Sequence, residues 1–115
     1  MNVLIQPPSV DSKTYFELEQ TQCIPNKALY EKFLNWVSGE FELYLQDNLH
    51  GLQIFFPGGW VYITNIETTP NNIVFNILVK SKFQQKGIQI NNQINAILEH
   101  VLKLKRPSIS LKPFN

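Results

Sequence analysis

Ile73-Val74-Phe75-Asn76-Ile77-Leu78-Val79-Lys80-Ser81-Lys82-Phe83-Gln84-Gln85-Lys86-Gly87-Ile88-Gln89-Ile90 changes its hydrophobic period within a few residues. Ile73, Phe75, Ile77 and Val79 recur at every second position. That is the period of a strand, whose side chains alternate between two faces. Val74 and Leu78 are apolar on the reverse face, which places this strand inside its sheet rather than at an edge. Further on, Ile90, Ile94, Ile97, Leu98, Val101 and Leu102 form one stripe on a 3.6-residue period, with Asn91, Asn92, Asn95 and Glu99 opposite. Pro107 closes this helix. A strand feeding directly into an amphipathic helix calls for a sheet with a helical layer on it.

Toward the N-terminus the same alternation repeats between turn signals. Thr69-Pro70-Asn71-Asn72 is a turn, residues 60–66 a strand, and Pro57-Gly58-Gly59 a second turn. Leu52, Ile54 and Phe56 mark another strand, preceded by turn residues Asp47, Asn48 and Gly51. Phe41, Leu43 and Leu45 alternate with Glu42, Tyr44 and Gln46, a pattern for a strand with one buried face. Before it, Asn26 is an N-cap for a helix carrying Leu29, Tyr30, Phe33, Leu34, Trp36 and Val37, with Gly39 as its left-handed terminator. Residues 14–20 alternate weakly, Tyr15 and Glu17 against Phe16 and Leu18. Residues 1–5 are apolar and are stopped by Pro7-Pro8, and Ser108-Ile109-Ser110-Leu111 reads as a last strand. The expected fold is α+β: a mostly antiparallel sheet of four to six strands with two helices, in the order (β)-α-β-β-β-β-α-β.

The 115 residues make one domain, 1–115, with no room for a second core. Apolar residues at 43% are enough to pack an interior, which excludes a disordered chain. Apolar runs such as Ile54-Phe55-Phe56 fall far short of the roughly 20 residues that cross a bilayer. No basic leader precedes an apolar stretch, and the single Cys23 cannot form an internal disulfide. The expectation is a cytoplasmic protein with no membrane association. Cys23 has no basic neighbour before Lys27 and reads as a buried, inert thiol. Two histidines and one cysteine do not make a zinc site, so no metal is expected.

Net charge is +1, but it is unevenly spread. Residues 1–67 hold three Lys/Arg against eight Asp/Glu, and residues 68–115 hold seven against one. Such a split can mark a surface that meets an anion. Lys103, Lys105 and Arg106 equally suit the negative end of a helix dipole. Nucleic-acid binding through Lys80, Lys82, Lys86, Lys103, Lys105 and Arg106 is disfavoured by the near-neutral total.

The strand-to-helix junction is the candidate site. A first helical turn leaves N–H donors unpaired and carries partial positive charge, a combination that holds phosphates. Gly87 permits close approach of a ligand, and Lys82 and Lys86 add counter-charge. Val79, Gln84 and Gly87 are spaced as in V-x-x-x-x-[Q/R]-x-x-G-x-[G/A], with Gln89 in place of the final small residue. Together with Gly59-Trp60-Val61-Tyr62-Ile63 and Ile109-Ser110-Leu111, this stretch resembles a truncated GNAT-type N-acetyltransferase over about residues 59–111. The resemblance implies acetyl-CoA or another acyl-CoA as cofactor. Its pyrophosphate would be gripped by the amides of Gln84, Gln85, Lys86, Gly87, Ile88 and Gln89, and its pantetheine would pair with the strand at Val79. Glu40, Glu42 or Glu67 would be candidate bases and Tyr44 or Tyr62 candidate acids for acetyl transfer. Solvated strand faces and packing tyrosines account for the same residues without catalysis.

The alternative is a non-catalytic protein–protein interaction module of the immunity, adaptor or chaperone-like kind. Phe55, Phe56 and Trp60 flank the Pro57-Gly58-Gly59 turn, and alternation turns at least one of the two phenylalanines away from the main core. They would bind a protein partner or form a homodimer, unless the first helix covers that face of the sheet.

Overall fold

The structure, a computed structural model, describes residues 15–104. Residues 1–14, Pro107 and the expected strand at 108–111 lie outside the described residues. The elements are β1 (Phe16–Ile24), α1 (Lys27–Glu40), β2 (Leu45–Asp47), β3 (Leu52–Phe56), β4 (Gly59–Thr69), β5 (Asn72–Ser81) and α2 (Gln84–Leu104). This is the expected α+β fold. The five strands form one antiparallel sheet in the order β1-β5-β4-β3-β2.

β5 is interior, as its two apolar faces require. It pairs with β1 from Ile73 to Ser81 and with β4 from Asn72 to Ser81. Ile73, Phe75, Ile77 and Val79 are buried on one face with Val61, Ile63, Leu52, Ile54 and Phe56. Both helices cover that same face. Phe75 meets the rings of Tyr30 and Phe33 from α1, and α2 adds Ile90, Ile94, Leu98 and Val101 to the same core. The helices run antiparallel: Trp36 of α1 packs on His100 and Glu40 lies beside Gln93. The molecule therefore has two layers, and α1 does not cover the second face of the sheet.

Asn26 caps α1 as expected, its side chain accepting from the Leu29 N–H at 2.9 Å. The expected end at Gly39 is not observed. Gly39 lies inside α1 without a positive φ, and the helix runs to Glu40 with Phe41 as its cap residue. The strand expected from Phe41 shrinks to Leu45–Asp47, because residues 41–44 turn the chain out of the helix. Gln46 explains the reversal of its alternation. Its side chain bonds the Ser38 hydroxyl and the Ser38 and Phe41 carbonyls at the end of α1. With Gln46 turned inward, Leu45 turns outward and is 74% exposed, and Leu43 is 92% exposed in the turn. Of the three residues expected on a buried face, only Phe41 is buried.

Pro57 and Gly58 form the β3–β4 turn, with Gly58 at φ +87°, a value that favours glycine. This two-residue turn also fixes the hydrogen-bond phase of the sheet. Phe56 and Gly59 close it, so they exchange both backbone bonds and the pattern alternates outward from them. Trp60 then bonds Lys80, and Ser81, Val79 and Ile77 turn their backbone groups toward β1. The Lys82 N–H donating to the Gly58 carbonyl at 2.8 Å agrees with this phase. In β1, Phe16, Leu18, Gln20, Gln22 and Ile24 bond β5, and Glu17, Glu19, Thr21 and Cys23 point their backbone groups away from the sheet.

Burial pushes the Tyr30 phenol up to about 12, above its ordinary value of 10.0. The neutral form is thus favoured in the folded state, and the stabilisation holds below pH 10 and is lost as pH rises from about 10 to about 12. Denaturation of wild type and Tyr30→Phe should show that their stability difference is constant below that window. Within it, wild type should lose stability relative to the variant.

Candidate functional site

The expected anion cradle is a short junction. β5 ends at Ser81, α2 begins at Gln84, and only Lys82 and Phe83 lie between. Ser81 is fully buried, and its hydroxyl accepts from the Phe83 N–H at 3.0 Å and donates to the Phe83 carbonyl at 2.8 Å. The Lys82 N–H is bound to the Gly58 carbonyl, and the Gly87 N–H to the Phe83 carbonyl. The amides of Lys82, Phe83 and Gly87 are thus held within the fold, and among the described residues those of Gln84, Gln85 and Lys86 in the first turn of α2 are not.

The expected site residues diverge from one another. Val79 is buried in the core, on a strand with neighbours along both edges. Backbone pairing of a pantetheine arm with β5 would require displacing one of those neighbours. Gln84 and Gln85 are exposed in the first turn of α2, and Ile88 is 38% exposed. Lys86 is half-buried, its ammonium 3.5 Å from the Tyr44 hydroxyl and 5.9 Å from the Tyr44 ring centre. It leans along the helix flank, where Glu40, Tyr44, Gln89 and Gln93 line a shallow cleft of about 170 Å³.

Gly87 has a packing role. It is buried, and a Cβ there would stand 2.8 Å from Phe16 Cδ2 and 3.3 Å from Ser81 Cβ. Its missing side chain lets the first turns of α2 approach β1 and β5. The acid–base candidates are dispersed. Glu40 and Tyr44 border the shallow cleft, whereas Tyr62 donates to the His50 carbonyl on the opposite face at 3.3 Å. Glu67 lies toward the far end of β4, and Glu42 is exposed in the turn after α1. His100 packs against Trp36. Among the described residues no group of three or more His, Cys, Asp or Glu could hold a metal ion, and no helix is long and apolar enough to cross a membrane.

The more extensive feature is the uncovered face of the sheet. Register aligns Leu45, Phe55, Trp60, Lys80 and Glu17 in one row across all five strands. Phe55 is 38% exposed, Trp60 half-buried, and Phe56 is buried in the core, so the Phe55–Phe56 pair divides as alternation requires. Lys80 bridges the row, 5.5 Å over the Trp60 ring and 3.8 Å from the Glu17 carboxylate. Tyr15 packs against Trp60. Cys23 also lies on this side and is exposed, which corrects the expectation of a buried thiol.

At its β2 end the row meets a groove of about 820 Å³ between α1 and the sheet edge. Leu34, Leu52, Leu45 and Phe55 supply its apolar lining, and Glu31 and Asp47 supply two carboxylates. None of its lining residues is basic. No periodicity along the chain marks this groove. It arises from the outward turn of Leu45, itself set by Gln46, which no local pattern encodes.

Gly87→Val should destabilise the fold by about 1–3 kcal/mol through overpacking against Phe16 and Ser81. Urea denaturation should show a lower midpoint at an unchanged slope. No protein-family model matches this chain, and no curated protein matches it in sequence.

Proposed function

We propose that this chain is a non-catalytic protein-interaction module. It docks a partner segment along the Trp60–Phe55–Leu45 row and into the groove beside α1. The in-register aromatic row on an uncovered sheet face is the observation that carries this reading. Large aromatic side chains concentrate binding energy when a partner desolvates them, and contiguous apolar surface is a mark of such sites. The groove selects the chemistry of the partner. Two carboxylates beside leucine and phenylalanine suit a segment that is apolar on one face and carries lysine or arginine. Lys80 is engaged by Glu17 and Trp60, which leaves the groove end of the surface acidic.

The acyl-CoA reading rests on the resemblance of residues 79–89 and has a separate readout. Coenzyme A at millimolar concentration would raise the melting temperature if the junction held its diphosphate.

Selection from a random peptide library tests the interaction reading. Enriched peptides should alternate apolar and basic residues. Trp60→Ala should weaken them by at least about 30-fold, the equivalent of roughly 2 kcal/mol. Glu31→Lys with Asp47→Lys should remove the preference for basic residues while the circular dichroism spectrum stays unchanged. Enrichment indifferent to all three substitutions, or a melting shift with coenzyme A alone, would reject the proposal.

A further inference from the structure

β1 ends the sheet with nine residues paired on one side only. Among the described residues nothing pairs with its outer edge. Natural edge strands are commonly protected by shortness, proline, lysine or a bulge. β1 contains neither proline nor lysine, its register with β5 is unbroken, and Glu17 and Glu19 are the only charges that guard its edge. The sheet's phase gives this edge a defined pattern. Glu17, Glu19, Thr21 and Cys23 present their N–H and C=O groups outward, and the same residues carry their side chains on the uncovered face.

We infer that β1 pairs with β1 of a second copy, antiparallel, about a two-fold axis at Gln20. Charge and hydrogen bonding select this register. Outward residues must bond outward residues, so the axis falls on a single residue. An axis one residue earlier sets Glu19 against Glu19, and one two residues earlier sets Glu17 against Glu19. Like charges directly opposite are destabilising. An axis at Thr21 carries Glu17 past the end of the strand to Pro25. Only at Gln20 do all four outward residues find strand partners, Glu17 facing Cys23 and Glu19 facing Thr21, with no carboxylate opposite another. On the helix side the same register sets Phe16 against Ile24 and Leu18 against Gln22.

The surroundings of Gln20 suit the axis. Its amide donates to Asn91 and Asn95 of α2, at 3.1 and 3.0 Å, and accepts from Gln22 at 2.6 Å. The Asn91 and Asn95 side-chain oxygens accept these bonds, which leaves the N–H donors of both amides for other partners. The two-fold axis stands normal to the sheet, so both helical layers lie on one side. With α2 over β1 and β5, the two α2 axes come about 10 Å apart, an ordinary helix-packing distance. The product is a ten-stranded sheet, independent of the partner docking described above.

Sedimentation of the full chain should give a particle of twice 13.4 kDa. Thr21→Pro removes an outward N–H, which an edge strand tolerates, and one exposed side-chain bond to Asn76, and should yield a monomer with an unchanged spectrum. Glu17→Cys places a second thiol opposite Cys23 of the other copy. Their Cα atoms would lie about 5.5 Å apart, within disulfide range, so mild oxidation should give a covalent dimer. Adding Cys23→Ser should abolish it, because the two introduced thiols would be about 20 Å from each other. A wild-type chain that stays monomeric at several hundred micromolar overturns the inference. So does a dimer untouched by Thr21→Pro, or a cross-link that survives Cys23→Ser.

Discussion

β5 is hydrogen-bonded along its length to β1 on one side and β4 on the other, with Ile73, Phe75, Ile77 and Val79 packed beneath both helices. The last residues of β5 set where α2 can start. Ser81 is buried and bonds Phe83 twice, and Gly87 removes the side chain that would hold α2 off Phe16. The junction that resembles an anion loop in sequence is in space a tight splice between a clamped strand and a helix pressed onto it. Chain geometry common to strand-to-helix turns produces both appearances. A buried glycine in the first turns of a helix serves close packing as readily as it serves a phosphate.

Single-sided coverage follows from how the apolar residues are divided. The two helical stripes are both used by one sheet face. The other face keeps a mixed surface: Leu45, Phe55, Trp60, Tyr62 and Leu78 among Glu17, Glu19, Thr21, Asn76 and Lys80. The polar members bond one another across β1 and β5, with Asn76 donating to Glu19 and accepting from Thr21. The β1–β5 half is thus largely satisfied by itself. The β3–β2 half is not: Phe55 and Leu45 have only each other and Trp60 as row neighbours, and Leu45 is mostly in water. This asymmetry locates the docking surface at the β2 end rather than over the whole face.

Elements with a sustained period were legible in the sequence, and those set by one tertiary bond were not. β3, β4, β5 and α2 follow from alternation and from the Ile90–Val101 stripe, and Asn26 announced the start of α1. Gly39 misled because propensity allows a left-handed cap wherever glycine follows a helix, while the observed end is fixed by Phe41 folding into the core. The alternation from Phe41 to Gln46 was real in sequence but was overridden by three side-chain bonds from Gln46 to Ser38 and Phe41. Cys23 looked like an interior residue because cysteine usually is. Its odd position on an edge strand determined otherwise. Of the surface, Phe55 and Trp60 were visible as an aromatic turn, but their alignment with Leu45, Lys80 and Glu17 exists only once register is known.

β1 divides its work by parity. The residues at even positions send their side chains under the helices and their backbone bonds to β5, so they hold the strand in place. Those at odd positions send their side chains to the uncovered face and their backbone bonds outward, so they are free to choose a neighbour. A substitution at Glu17, Glu19, Thr21 or Cys23 removes no core contact and no backbone bond to β5, and costs at most the exposed side-chain bonds to Asn76 and Lys80. A substitution at Leu18 or Ile24 removes packing from the helix side. The unevenness of composition along β1 has the same origin. Phe16, Leu18 and Ile24 answer to the core, whereas Glu17 and Glu19 sit where two copies in the wrong register would oppose charge to charge. Glutamates on this edge thus act against most alignments of a second strand and leave one available, a form of selection that burial alone cannot provide.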